Sequence, residues 1–248
     1  MDCFTSVDPL AEKDYLISPY AYCSNNPVNR IDPNGMDDVY SREGEFIEHN
    51  DNEIDKKTDH IVIRDQNFVK QALIAGGLGD SKEVKAMPDN IDTQLESTLL
   101  SAESYSNIFT DALSDMKDVN MSDLANGAVS VVVSPDDIKI DDTYNNPSLE
   151  SGQHASGGIY DGKTFVTASI NYGKNKDNRY MFSTTSNIQN SLGVHEKIGH
   201  GQMGIGDETK LNVRTYQLQF NHPTWKNTTD PFKKEINRSL NIIINPPK

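Results

Sequence analysis

Cysteine is nearly absent from this 248-residue chain: only Cys3 and Cys23 occur, both near the N-terminus. Two cysteines cannot staple a fold of this size, and neither has the CxxC spacing of a metal or redox site. Free thiols are expected, as in a protein made in the cytoplasm. Long apolar runs are also missing. No stretch of 18 apolar residues exists, so no membrane span is expected. No basic segment followed by an apolar one opens the chain. A secretory signal peptide is therefore not expected, and secretion would need another route. Hydrophobic residues reach only 35%, below the roughly 45% usual for globular domains, which points to a loop-rich fold. Lys and Arg number 23 against 37 Asp and Glu, a formal charge of −14. That balance argues against nucleic acid as a partner held by a basic surface.

The charge is uneven. Residues 37–60 hold nine acidic against three basic side chains without apolar periodicity, which reads as a flexible acidic linker. Residues 209–248 hold seven basic against two acidic. They read as a solvated face, with contact to an anionic substrate as the sharper alternative.

Before the linker, short extended pieces are broken by turn chemistry at Asp8-Pro9, Asn26-Pro27 and Asp32-Pro33-Asn34-Gly35. Residues 1–36 are too few for a core of their own and need a surrounding structure. Residues 4–35 closely resemble the end of the RHS repeat-associated core in the form common in Bacteroidetes. In that family a β-rich shell encloses a variable C-terminal toxin. The shell ends in a self-cleavage signal, Pro-x4-Asp-Pro-x-Gly-Leu, and Pro27 through Met36 fits it with Met36 in place of Leu. The resemblance implies two aspartates, Asp8 and Asp32, acting as a carboxylate pair that shares a proton, with the cut after Met36. It also implies a secreted interbacterial effector of the polymorphic toxin kind. Such an effector is made in the cytoplasm and delivered into a neighbouring cell by contact-dependent (type VI) secretion, with a cognate immunity protein as partner. The organisation expected is an RHS remnant over 1–36, a linker over 37–60 and a toxin domain over 61–248.

Within the toxin domain, His60–Arg64 reads as a strand and Gln66–Ile74 as a helix stopped at Gly76-Gly77. Residues 78–94 read as loop, Thr93–Asp115 as a helix and Ala128–Val133 as a strand. Asp161-Gly162 predicts a tight hairpin between Gly158–Tyr160 and Thr164–Tyr172. A helix follows, capped by Ser183, Thr184 or Thr185 and ended by the glycines from Gly201. Further helices are expected over Lys210–Phe220 and Pro231–Leu240.

The chemistry concentrates in His195-Glu196-Lys197-Ile198-Gly199-His200. A zinc peptidase needs two neutral imidazoles on the metal and a carboxylate that can take a proton from the attacking water. In the common H-E-x-x-H pattern the histidines are four apart on one helical face. Here they are five apart. At about 100° per residue they point roughly 140° from each other on an α-helix, against about 40° for the usual spacing. A π-type distortion at Lys197–Gly199 would realign them, and Gly199 and Gly201 lower its cost.

The six residues resemble the HExxGH motif of the dipeptidyl-peptidase III family of zinc metallopeptidases. The resemblance implies an α+β, zincin-like fold: a small antiparallel sheet or hairpin packed on an active-site helix and the helices that follow. It implies zinc as cofactor on His195 and His200, and Glu196 as general base. Related zincins take their third ligand from a following helix. The residue seventeen positions on is Gln217, a poor zinc ligand. Glu208 and His222 are the alternatives, and imidazole favours His222. A hydrogen-bonded core histidine at His195 and a helix-end cap at His200 would explain the same residues without metal. His154, in a Ser/Gly-rich loop, reads as exposed, and Tyr216 as packing or an oxyanion donor. The expected function is zinc-dependent hydrolysis of a peptide bond in a target-cell protein or cell-wall peptide. The competing readings are a metal-dependent nuclease toxin and a non-enzymatic binding toxin with a degenerate metal site.

Overall fold

A computed structural model describes residues 37–50, 59–133, 154–170, 178–206 and 209–246. Asp8, Asp32, Met36 and Glu208 lie outside the described residues. The fold is mixed α+β, with two small sheets and several helices around one principal core. Among the described residues, no helix is long and apolar enough to cross a membrane.

The first sheet has the order β2-β1-β3-β4, from β1 (Asp37–Ser41), β2 (Phe46–Asn50), β3 (Ile61–Gln66) and β4 (Asn90–Gln94). β1 runs parallel to β3 and antiparallel to β2. This corrects the linker reading of residues 37–60: at least residues 37–50 belong to the fold, and β1 is an inner strand. Asp37 and Asp38 are buried together with Val39 and Tyr40. Composition misled here because Asp38 and Tyr40 find their partners in the fold. Asp38 accepts from Thr185 and pairs with His49 at 2.7 Å, and the Tyr40 hydroxyl donates to Asp111 at 2.9 Å.

After β3 come α1 (Phe68–Leu73), a short π turn and α2 (Lys82–Ala86). The expected loop at 78–94 therefore contains a helix and an edge strand. α3 (Ala102–Ser114) starts later than the apolar spacing suggested, at the Ser101 cap. It buries Tyr105, Ile108, Phe109, Ala112 and Leu113, the spacing of one helical face.

The second sheet, β5-β7-β6, joins β5 (Ser130–Val132), β6 (Ala155–Tyr160) and β7 (Lys163–Ser169). Asp161 and Gly162 both take positive φ, 49° and 74°, as the tight turn between β6 and β7 requires. The side chains of α3, β3 and β7 meet in one core, where Phe109 and Phe182 lie 4.9 Å apart.

The central helix begins as α4 (Thr185–Ile188), capped by the Thr184 hydroxyl accepting from the Asn187 amide at 3.1 Å. It continues as a π-helix over Gln189–Gln202. Its start is tied to the first sheet: Ile61 N–H donates to Ser183 O and Thr185 N–H to Asp59 O. α5 (Thr209–Asn221) packs along it, then a 3₁₀ turn (Pro223–Asn227) and α6 (Asp230–Ile244) close the core with Phe232 and Ile236.

Glycines set how closely neighbours approach this helix. A Cβ on Gly157 of β6 would stand 2.7 Å from both Cβ and the carbonyl oxygen of Glu196. A Cβ on Gly193 would meet mainly the thioether end of Met116, which can move. Gly157→Ala is therefore expected to cost about 2 kcal/mol by overpacking against backbone, and Gly193→Ala clearly less. Urea-denaturation midpoints of the two variants test the order.

Candidate metal centre

The i→i+5 pairing of the π-helix stacks residues five apart, so His195 and His200 share one face. The distortion expected at Lys197–Gly199 is real but extends over the whole segment Gln189–Gln202. The two imidazole rings are 5.1 Å apart, and one ligand atom each from His195, Glu196 and His200 lies within 4.8 Å of the others. All three residues are buried.

Each histidine has its Nδ1 oriented by an oxygen. His195 Nδ1 stands 2.7 Å from Gln219 Oε1. The Gln219 amide cannot flip freely, because its NH₂ donates to the backbone and side-chain oxygens of Asn190, both at 3.2 Å. Its oxygen therefore faces the ring, and Nδ1–H is the donor. His200 Nδ1–H donates to Ile205 O at 2.6 Å. In a neutral imidazole this leaves Nε2 as the lone-pair nitrogen of both rings. Burial holds His195 neutral and pulls it down to about 3, against the opposing effect of the Gln219 bond. Two imidazoles with oriented Nδ1–H groups and one carboxylate form a donor set that fits a divalent transition metal.

The rest of the shell comes from α5 and β6. Tyr216 packs edge-on to His195 with ring centroids 4.7 Å apart. Burial and the nearby Glu196 push its hydroxyl above the ordinary range, so it stays protonated. Gly199 makes room for Thr215, where a Cβ would fall 2.7 Å from Thr215 Cγ2. The motif's Lys197 is fully buried and faces away from solvent into an ion pair with Asp123 and a bond to Thr164.

The candidates for a third ligand fare unequally. His222 caps the 3₁₀ turn, and its two ring nitrogens bond Thr224 at 2.8 Å and Asp118 at 3.0 Å. It is not part of the metal-capable group. Gln217 is exposed, on the far side of α5. His154 is partly buried rather than an exposed loop residue, 3.2 Å from Ser191 Oγ. Gln219 and Asn190 went unrecognised because Gln and Asn carry no metal signature. The spacing of Gln219 from Tyr216 and Thr215, three and four residues, was the available signal.

The chain matches no family model, no curated protein and no solved structure.

Two predictions follow from these side chains. Asp123→Ala strands the buried Lys197 ammonium and is expected to cost about 2 kcal/mol, the low side for a buried pair because the Asp123 side chain is 33% exposed. Chemical denaturation measures it. The second concerns pH. Burial pulls His154 down to about 4, so the native metal-free protein keeps it neutral where the unfolded chain, titrating near 6.5, takes a proton. The His154 contribution to stability should be flat above pH 6.5, fall as the pH drops from 6.5 to 4 and be constant below that, while His195, pulled down to about 3, acts with the same sign. His154→Gln should reduce the slope in that window, read from urea midpoints in the presence of a chelator.

Proposed function

We propose that the chain is a zinc-dependent peptidase domain of zincin-like character, carried in an RHS toxin cassette. The observation that carries the enzymatic reading is the convergence of His195, Glu196 and His200 within 4.8 Å on a π-helix that turns both histidines to one face. The cassette reading is carried by residues 4–36, through their resemblance to the RHS core end. In it, Asp8 and Asp32 serve the cut after Met36, and the released domain acts inside a neighbouring cell unless an immunity protein binds it.

The chemistry assigns roles to the chain's own residues. His195 and His200 hold the metal through Nε2. Zinc, when bound, supplies polarisation of the scissile carbonyl. Glu196 accepts a proton from the attacking water and returns it to the leaving amine. Tyr216 packs edge-on against His195, and its protonated hydroxyl is bonded to Ser239. β6 favours a peptide substrate. The Ser169 N–H to His154 O bond between the ends of the two strands and the β6–β7 register direct the backbone groups of Ala155, Gly157 and Ile159 away from β7. Among the described residues this is a free sheet edge, with Gly157 lying against Glu196. An extended peptide added there passes the carboxylate.

A second reading is favoured by the burial of Glu196, which is 7% exposed. A closed structural site would use Glu196 as a ligand rather than a base. Glu196→Gln separates the two. In the peptidase reading the variant keeps zinc and fold and loses about 10²-fold or more of peptidase activity and toxicity, the usual contribution of a general base. A variant as toxic as the parent would overturn the peptidase reading. Loss of zinc along with the carboxylate would favour the structural site.

A further inference from the structure

We propose that Asn212 supplies the third protein donor to the metal, its side-chain oxygen completing the site from α5. The inference rests on the metal reading of His195, Glu196 and His200. It is preferred to two of the ligand candidates drawn from sequence spacing, since His222 has both ring nitrogens engaged and Gln217 is exposed, while Glu208 lies outside the described residues.

The helical phase of α5 singles out the residue. Asn212, Thr215, Tyr216 and Gln219 follow the i, i+3, i+4, i+7 spacing of one face. All four meet the His195 ring: Gln219 at Nδ1, Thr215 Oγ1 3.2 Å from Nε2, Tyr216 edge-on, and Asn212 within hydrogen-bond reach. Gln219 occupies Nδ1, so Asn212 and Thr215 stand at the Nε2 edge, the edge a metal would take. Of these two, Thr215 is fully buried, and its hydroxyl, with one proton to give, lies 2.6 Å from the Asn212 backbone oxygen and 2.7 Å from Oδ1. That hydroxyl acts as a brace. It holds the Asn212 amide oxygen beside the imidazole nitrogen and keeps one lone pair of Oδ1 available. Asn212 is only partly buried and can adjust to a bound ion.

The donor chemistry is consistent with a catalytic rather than a closed site. Two imidazoles and a neutral amide oxygen leave the charge of a divalent ion uncompensated and leave Glu196 to act as base. The cost is affinity, because an amide is a weaker donor to zinc than a carboxylate. Replacing Asn212 by Asp adds one negative charge at the same position and should strengthen binding.

The test uses the purified full chain in competition with a chromophoric zinc chelator, together with the visible spectrum of the cobalt-substituted protein. Asn212→Asp should bind zinc at least about tenfold more tightly, and Asn212→Ala at least about tenfold more weakly, with a changed cobalt spectrum in both. Gln217→Ala should match the parent. The Asn212→Asp variant is isosteric with the parent, so it keeps the test open if Asn212→Ala does not fold. An Asn212→Ala variant with parental affinity and spectrum, or an Asn212→Asp variant that binds no tighter, would refute the assignment while leaving the metal reading intact. A parent that binds no zinc would refute both.

Discussion

Two histidines five residues apart can share one ion only if the helix between them is wider than an α-helix, and much of the described structure is arranged around that constraint. A π-helix is wider and less well hydrogen-bonded than an α-helix, and normally survives as a single turn at a functional site. Here it runs for 14 residues, and its neighbours hold it. Asn190 is bonded to Gln219 and Thr224, Gln189 to Ala112, Lys197 to Asp123, and Gln202 to Asn120 and Asp118. The helix is therefore anchored by polar groups from several directions as well as by apolar packing.

Burial supplies the second half of the arrangement. Eleven residues of the π-helix are buried, including both histidines, Glu196 and Lys197. Polar groups in such a place are costly unless each has a partner. The described partners come from outside the motif: the Ile205 carbonyl, the Gln219 amide, Thr215 and the Asp123 carboxylate. This explains why the glycines are placed as they are. Gly157, Gly199 and Gly201 sit where β6, α5 and β7 come nearest, and a methyl group at any of them would push a wall of the site outward.

Sequence reading succeeded where a signal is local. The Asp161-Gly162 turn, the Thr184 cap and the apolar face of α3 depend on residues within a few positions of each other. It failed where the partner is distant. The acidic run Asp37-Asp38 looked solvated, yet Asp38 is bonded to Thr185, 147 residues away, and lies beside the start of the central helix, where its charge is favourable. Gln217 was singled out by counting from His200, whereas Gln219 is the glutamine that reaches the site. Two residues on an α-helix are about 200° apart, so such a count selects the wrong face.

The amino-acid sequence alone determined the chemistry on offer: two imidazoles flanking a carboxylate, an odd spacing that calls for a wider helix, and glycines that permit it. It also carries, in residues 4–36, the resemblance on which the cassette reading stands. Only the tertiary structure decided which nitrogen of each histidine is left with its lone pair, that Lys197 is a buried brace, and that α5 meets His195 through Asn212, Thr215, Tyr216 and Gln219. The reason is physical. Donor types and helical periods are properties of short segments. The protonation and aim of a buried imidazole depend on whatever oxygen stands 2.7 Å from it, and folding alone brings that oxygen there.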